Sequence, residues 1–174
     1  MNRKNILVTG PPQCGKTTLI ERVTSRIGLP LTGFFTREIR EKGRRRGFNV
    51  VTVGGTVGVL AHEDIRSRIK VGKYHVNLAD LEAIAVPSMV PTTAEEVIVI
   101  DEIGKMECHS GLFRNALIRA LDSPNAVIGS IALRGGDFIR KIKDRADVEI
   151  VMVSEKNRDH LADSLASRMP ARGS

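Results

Sequence analysis

Gly10-Pro11-Pro12-Gln13-Cys14-Gly15-Lys16-Thr17-Thr18 is the stretch that decides the fold, and it contains the spacing G-x-x-x-x-G-K-[ST]. The apolar run Ile6-Leu7-Val8 precedes it, and apolar residues at helical spacing follow it from Leu19 onward. A loop of backbone N–H groups can wrap a phosphate only if its ends tolerate unusual dihedral angles, which accounts for Gly10 and Gly15. Strand, glycine-bounded turn and helix together predict a phosphate-binding loop (P-loop). A glycine turn with a chance lysine is the alternative, and both flanking patterns argue against it.

The first residues of the helix predict the contacts with a nucleoside triphosphate. Lys16 is expected to reach the β- and γ-phosphates, and the hydroxyl group of Thr17 is expected to ligate Mg²⁺. The free N–H groups and the positive dipole end of the helix point at the same anion. We therefore assign nucleotide binding to Gly10–Thr18, a catalytic role to Lys16 and metal binding to Thr17.

The composition is that of an ordinary globular protein, with 41% hydrophobic and 27% charged residues among 174. This length suits one domain, so we expect a single domain over residues 1–174, with residues 170–174 as a frayed tail. The apolar runs are far shorter than the roughly 18 residues of a membrane span. The N-terminal residues run straight into the first strand, so we expect no targeting segment. Cys14 and Cys108 are expected to be free thiols, as in the reducing cytoplasm, where we expect this protein to act. We expect it to be a monomer.

The net charge of +7 suits phosphorylated small substrates, and it equally suits nucleic acid. Aromatic residues make up only 3%, which leaves few side chains on which single-stranded bases could stack. The basic run from Arg37 to Arg46 is interpreted as a solvated turn, or as a basic flap over the triphosphate or a partner. Nucleic acid therefore stays an open alternative partner.

Three β-rich segments separated by glycine-containing turns follow the first helix: Gly33–Arg40, Phe48–Val53 and Val57–Ala61. They predict a hairpin or meander inserted after the first βα unit, over residues 33–62. Farther along, Val97–Ile100 is apolar at every position, and Ala126–Leu133 gives another buried strand. Such runs are typical of parallel strands buried on both faces. We therefore predict an α/β fold, in which a mostly parallel sheet is flanked by helices and carries this insertion.

Asp101 and Glu102 come directly after the buried strand Val97–Ile100. Ligands in an open parallel sheet bind outside the carboxyl ends of the strands, so both carboxylates are expected to face the phosphates. An apolar strand followed by Asp is the Walker B pattern, in which the Asp holds Mg²⁺, usually through water. A Glu one residue farther on can polarise a water for attack on the γ-phosphate, which favours hydrolysis. The alternative is a surface turn after a core strand.

Three more charged residues near this edge have two interpretations each. Arg134 follows the strand Ala126–Leu133 and either stabilises charge on the γ-phosphate as a catalytic residue or is a solvated arginine in a loop. Lys105 and Glu107 either support the nucleotide-binding residues or are solvated charges. The histidines are scattered along the chain, which argues against a structural metal or a Cys/His nucleophile.

Three blocks of this sequence resemble the THEP-type nucleoside-triphosphatases, a family that includes the thermophilic nucleoside-triphosphate phosphatases and human cancer-related nucleoside-triphosphatase. The blocks are Gly10–Thr17, the segment from Gly33-Phe34-Phe35-Thr36-Arg37-Glu38-Ile39-Arg40 through Arg44-Arg45-Arg46-Gly47-Phe48, and Val97-Ile98-Val99-Ile100-Asp101-Glu102-Ile103-Gly104-Lys105-Met106-Glu107. A late segment, Glu155-Lys156-Asn157-Arg158-Asp159-His160-Leu161, also fits the family. The similarity therefore covers nearly the whole chain.

The resemblance implies a RecA-like P-loop fold and slow, Mg²⁺-dependent hydrolysis of ATP, GTP, CTP and UTP to the diphosphate and phosphate, with broad base tolerance. It assigns phosphate binding to Gly10–Thr17 and a second nucleotide-binding segment to Val97–Gly104. Asp101 is the expected metal ligand of that segment, and Glu102 is its expected catalytic residue. Two alternatives stay open: a kinase for a nucleotide or other small acceptor, and a nucleotide-binding module stimulated by RNA or protein through the basic run.

Overall fold

The computed structural model describes residues 3–170, which form a nine-stranded sheet with helices on both faces. The strands are β1 (Asn5–Thr9), β2 (Leu31–Glu41), β3 (Arg44–Thr52), β4 (Val57–His62), β5 (Lys70–Val71), β6 (Tyr74–Val76), β7 (Val97–Ile103), β8 (Val127–Ile131) and β9 (Val148–Met152). The helices are α1 (Lys16–Thr24), α2 (Leu78–Asp80), α3 (Val86–Ser88), α4 (Gly111–Asp122), α5 (Asp137–Lys143) and α6 (Arg158–Ala166), with a π-helical turn at Leu81–Ala85 and a 3₁₀ turn at Glu107–His109. The expected frayed tail lies, apart from Pro170, outside the described residues.

Five strands form the parallel half of the sheet, in the order β2-β7-β8-β1-β9. Every residue of β1 and β8 is buried, as expected for central parallel strands. Successive side chains of a strand point to opposite faces, so Leu7 lies in one core while Ile6 and Val8 lie in the other. Helices α4 and α5 cover the first face, and helices α1 and α6 cover the second.

The inserted meander continues the same sheet instead of standing apart from it. Strand β2 pairs in parallel with β7 through Leu31–Phe34 and then antiparallel with β3 through Phe34–Glu41. At the crossover, Gly33 has a φ of 103°, and a Cβ atom there would lie 1.9 Å from the Val99 carbonyl oxygen. The remaining strands extend this half antiparallel, in the order β3-β4-β6-β5. The predicted insertion is present, but the sheet is mixed and not mostly parallel, because β2 belongs to both halves.

The turn between β2 and β3 is shorter than the run of basic residues from Arg37 to Arg46 suggests. Lys42 and Gly43 both have positive φ values, 48° and 77°, which is the geometry of a tight primed turn. Strand β3 therefore begins at Arg44. The interpretation of the basic run Arg37–Arg46 as a solvated turn is wrong in its extent, because a two-residue turn closes the hairpin and the three consecutive arginines lie in β3.

None of the helices in the described part of the chain combines the length and the apolar character that a membrane span requires. Both cysteines are free thiols, as expected.

Candidate active site

The sequence-predicted site residues meet at the carboxyl edge of the parallel half. The P-loop connects β1 to α1, and Asp101 and Glu102 approach it from β7, which lies beyond β8. Strand β7 runs to Ile103, so these two acids lie within its last residues and not after its end. Its pairing with β8 shifts register between Ile100 and Ile103, where the two acids occur. The two motifs thus converge although they are far apart in the sequence.

The P-loop has the backbone that its glycines imply. Gly15 has a φ of 96° and Gln13 a φ of 62°, both in the left-handed region. A Cβ atom on Gly10 would lie 2.5 Å from the Val153 carbonyl oxygen and 2.8 Å from the Cys14 sulfur atom. Cys14 itself is buried in the core beneath the loop. Gly10 is therefore required by close packing and Gly15 by its backbone conformation.

Lys16 lies over this loop. Its Nζ atom donates hydrogen bonds to the carbonyl oxygens of Gly10 and Pro11, both at 3.1 Å. The side chain is half-buried and lines the same cavity as Asp101 and Glu102. A positive charge is thus held where the loop would wrap the β- and γ-phosphates.

Asp101 is a buried carboxylate with an incomplete set of partners. Ser130 donates a hydrogen bond from its hydroxyl group to Asp101 Oδ1, and Thr36 donates to the backbone carbonyl oxygen of Asp101 at 2.6 Å. The second carboxylate oxygen, Oδ2, is buried without a hydrogen-bond partner among the described residues. Burial raises the pKa of Asp101, and the hydrogen bond from Ser130, the nearby Thr17 hydroxyl group and the charges of Arg37 and Lys16 oppose that shift.

These residues fit a hard divalent cation. The unpartnered Asp101 oxygen and the hydroxyl group of Thr17, which lines the same cavity, are oxygen donors of the kind Mg²⁺ prefers. The described residues contain no cluster of three or more His, Cys, Asp or Glu side chains that could hold a metal. A site with few protein ligands suits Mg²⁺, because Mg²⁺ keeps several waters and binds phosphate oxygens of the nucleotide.

Glu102 and Glu107 flank Gly104. A Cβ atom on Gly104 would lie 2.8 Å from Glu102 Oε1 and 2.9 Å from Glu107 Oε2. Glu107 is only 4% exposed and accepts a hydrogen bond from the Gly104 backbone N–H at 3.1 Å. Burial, assisted by the charge of Glu102, raises the pKa of Glu107 to about 8. Burial and the charge of Asp101 raise the pKa of Glu102.

Of the two undecided residues that follow Gly104, Glu107 is a buried part of the site and Lys105 is an exposed side chain at its edge. No local pattern separates them, since both follow Gly104 in one polar segment. The 3₁₀ turn that begins at Glu107 directs this carboxyl group back onto Gly104.

The site opens into a cavity of about 580 Å³. It runs from the P-loop past Asp101 and Glu102 to an apolar lobe on the meander side, formed by Phe48, Leu60, Val71 and Met106. Arg134 lies on its rim, exposed and without a hydrogen bond or ion pair to any residue in the 3–170 range. The apolar lobe thus lies beside two charged meander residues, Glu38 and Arg45, which also line the cavity.

The arginines of the basic run form ion pairs, Arg37 with Glu21 of α1 and the others with acids of the meander. Arg44 and Arg46 contact Glu63 at 3.0 and 2.6 Å. Arg45 contacts Glu38 at 3.0 Å and donates to the Tyr74 hydroxyl group at 2.9 Å. Much of the positive charge that suggested a flap or a nucleic-acid surface is therefore balanced within the meander.

Comparison with known proteins identifies the family. The family model described as NTPase matches residues 5–166. The nucleoside-triphosphatase THEP1 of Thermotoga sp. (strain RQ2) is 45% identical over 163 residues, covering 93% of this chain and 93% of that protein. The cancer-related nucleoside-triphosphatase of Homo sapiens is 38% identical over 175 residues, covering 91% and 92%. The crystal structure of THEP1 from the hyperthermophile Aquifex aeolicus superposes with a TM-score of 0.85 at 30% identity, covering 94% of this chain and 97% of that chain.

These findings confirm the resemblance to the THEP-type nucleoside-triphosphatases and the predicted P-loop fold. The family match spans most of the chain, and the relatives are matched over nearly their whole length. The chain belongs to the NTPase family.

Proposed function

We propose that this protein hydrolyses nucleoside triphosphates to the diphosphate and phosphate in an Mg²⁺-dependent reaction with little discrimination among bases. The observation that carries the proposal is the convergence of Lys16, Thr17, Asp101 and Glu102 in one cavity. The names of the relatives, nucleoside-triphosphatases, support it.

The P-loop residues Gly10–Thr18 bind and orient the triphosphate in this proposal. Backbone N–H groups and the start of α1 surround the phosphates, and Lys16 contacts the β- and γ-phosphates. Thr17 and Asp101 would hold Mg²⁺, which, when bound, neutralises charge that develops on the phosphate oxygens. Val97–Gly104 forms the facing wall of the nucleotide site.

Glu102 is the proposed general base. Its carboxylate accepts a proton from a water whose oxygen attacks the γ-phosphorus atom, while the bond from that phosphorus to the β,γ-bridging oxygen breaks. The raised pKa of Glu102 makes the carboxylate a stronger base than an exposed glutamate. Arg134, on the rim of the cavity, is proposed to stabilise the charge on the departing γ-phosphoryl group.

We further propose that the chain works as one domain over residues 1–174 and as a monomer in the cytoplasm. Every strand of the described chain belongs to a single sheet, and this supports the single domain.

A second candidate is phosphoryl transfer to a small acceptor, and the apolar lobe of the cavity favours it. Hydrolysis needs room for one water beyond the γ-phosphate, whereas the lobe formed by Phe48, Leu60, Val71 and Met106 would accommodate a larger molecule.

Phosphate release from the full chain tests both candidates. We expect release from ATP, GTP, CTP and UTP at rates within about tenfold of one another, with loss of release when EDTA removes the metal. Added RNA should leave the rates unchanged. If phosphate release from all four nucleotides is negligible without an added acceptor, the hydrolysis proposal is contradicted. Phosphate release that requires RNA would favour an RNA-stimulated nucleotide-binding module.

A further inference from the structure

The topology fixes the direction in which a triphosphate must lie on the P-loop. The loop follows β1, whose two neighbours in the sheet are β8 and β9. The expected metal ligand Asp101 and the base Glu102 lie on β7, on the β8 side, so the γ-phosphate faces that side. The α-phosphate and the nucleoside must therefore emerge on the opposite side, toward the segment that joins β9 to α6.

A second, smaller cavity of about 200 Å³ lies at that position. It is lined by Gly15, Thr18, Leu19, Arg22, Arg158 and Asp159. Gly15 and Thr18 also line the phosphate cavity, so the two spaces adjoin across the start of α1. A nucleotide whose phosphates occupy the P-loop would extend its nucleoside directly into this cleft between α1 and α6.

Arg158 forms one wall of the cleft and lies against the P-loop. Its Nη1 atom donates a hydrogen bond to the Cys14 carbonyl oxygen at 3.4 Å. Its Cδ and Nη1 atoms would each be 3.2 Å from a Cβ atom on Gly15. The side chain is half-buried, and no acidic residue of the described chain forms an ion pair with it. A planar guanidinium group is therefore held beside the point where the nucleoside leaves the loop.

The other charged groups of the cleft are already paired. Arg22 contacts Asp159 at 2.8 Å across the two helices. This pair closes the side of the cleft. Because its hydrogen-bonding groups already bind each other, the pair does not distinguish the edge of one base from that of another. Every nucleobase has a π-face on which a guanidinium group can stack.

We propose that the cleft between α1 and α6 binds the nucleobase, with Arg158 stacked on its face. The inference rests on the proposed nucleotide hydrolysis and supplies a physical reason for weak base discrimination. The late segment Glu155–Leu161, which the family resemblance singled out, thereby gains a role.

Turnover of two kinds of substrate tests the proposal: the four nucleotides and inorganic tripolyphosphate, which has no base. For Arg158→Ala we expect the KM for ATP, GTP, CTP and UTP to rise about tenfold with kcat within about twofold, while the KM for tripolyphosphate stays unchanged. Arg158→Lys should reverse little of this rise in KM, because lysine keeps the charge but lacks a planar group that can stack on the base.

The matched control is Arg26→Ala. Arg26, just beyond the end of α1, contacts Asp163 of α6 at 2.6 Å, and its replacement by alanine should leave every KM unchanged. Calorimetric binding of ADP and of pyrophosphate to unmodified protein and to Arg158→Ala keeps the test independent of turnover. Weaker ADP binding with unchanged pyrophosphate binding supports the stacking role even if no nucleotide is hydrolysed.

Three results would overturn the proposal. An equal loss for tripolyphosphate and ATP would mean that Arg158 acts on the phosphates or on the loop. Full recovery by Arg158→Lys would mean that charge alone matters. If nucleotide binding is unchanged in Arg158→Ala but weaker in Phe48→Ala, the base binds in the apolar lobe instead.

Discussion

The carboxyl edge of the parallel half and the antiparallel meander hold their acids in opposite ways. At the edge, burial raises the pKa of Asp101, Glu102 and Glu107. In the meander, hydrogen bonds from Lys73 and Arg44 hold the pKa of Glu63 below its usual range. Buried acids without full partners destabilise a fold, whereas the charge of Glu63 is compensated by ion pairs with Arg44, Arg46 and Lys73. The acids with raised pKa values thus lie at the parallel edge, where the proposed catalytic residues meet, and residues of the meander line the same cavity.

The largest effect should come from Lys16. Replacing it with alanine removes the charge over the P-loop, and we expect turnover to fall about a thousandfold. Steady-state phosphate release measures this, with Lys141→Ala on the exposed face of α5 as control. Turnover above roughly a tenth of the unmodified rate would show that the P-loop lysine does not carry the phosphate contacts.

The pH dependence of the free energy of unfolding tests this comparison at the buried acid Glu107. Its folded-state pKa of about 8 lies above that of the unfolded chain, so the folded protein keeps a proton that the unfolded chain releases. The contribution of Glu107 to the free energy of unfolding should therefore fall as pH rises from 5 to 8, by about 3 kcal/mol.

Glu107→Gln should reduce that slope, because glutamine does not titrate, and should leave the part that comes from Asp101 and Glu102, whose pKa values are also raised. Denaturant unfolding at several pH values, without nucleotide or Mg²⁺, measures it. Glu95→Gln, at an exposed position, should keep the slope of the unmodified protein. An identical pH dependence in Glu107→Gln and the unmodified protein would contradict the buried, protonated carboxyl group.

Substitutions at two equally buried core valines distinguish an effect on stability from an effect on turnover. Val50 in β3 and Val8 in β1 are both 0% exposed. Truncation of either to alanine should lower the free energy of unfolding by about 2 kcal/mol. Val8→Ala should also lower turnover about threefold, since β1 carries the P-loop, while Val50→Ala should not. Equal losses of turnover would mean that the meander positions the reacting groups directly.

A smaller effect than at Lys16 is expected at Arg134, on the rim between the two regions. Arg134→Ala should lower kcat about tenfold, because one charge near the γ-phosphate is lost. KM should change little. Pre-steady-state and steady-state phosphate release measure both constants, and an unchanged kcat would identify Arg134 as a solvated side chain.

The parallel half could be predicted from the sequence because its signals are local. The P-loop spacing, the continuous apolar run before Asp101 and the glycines are each contained in a short segment. The double pairing of β2 could not be predicted, since it depends on the contact of Gly33 with Val99 on another strand. The roles of Glu107 and Arg158 likewise depend on contacts across the fold, with Glu102 and the P-loop.

The most direct test of the account is Glu102→Gln, measured for turnover and for ATP affinity together. We expect phosphate release to fall at least about a hundredfold, because the amide cannot accept the proton of the attacking water. ATP affinity by calorimetry should stay within about threefold, since the P-loop and Asp101 are untouched. Undiminished phosphate release in Glu102→Gln would contradict the claim that the carboxyl edge of β7 supplies the catalytic base.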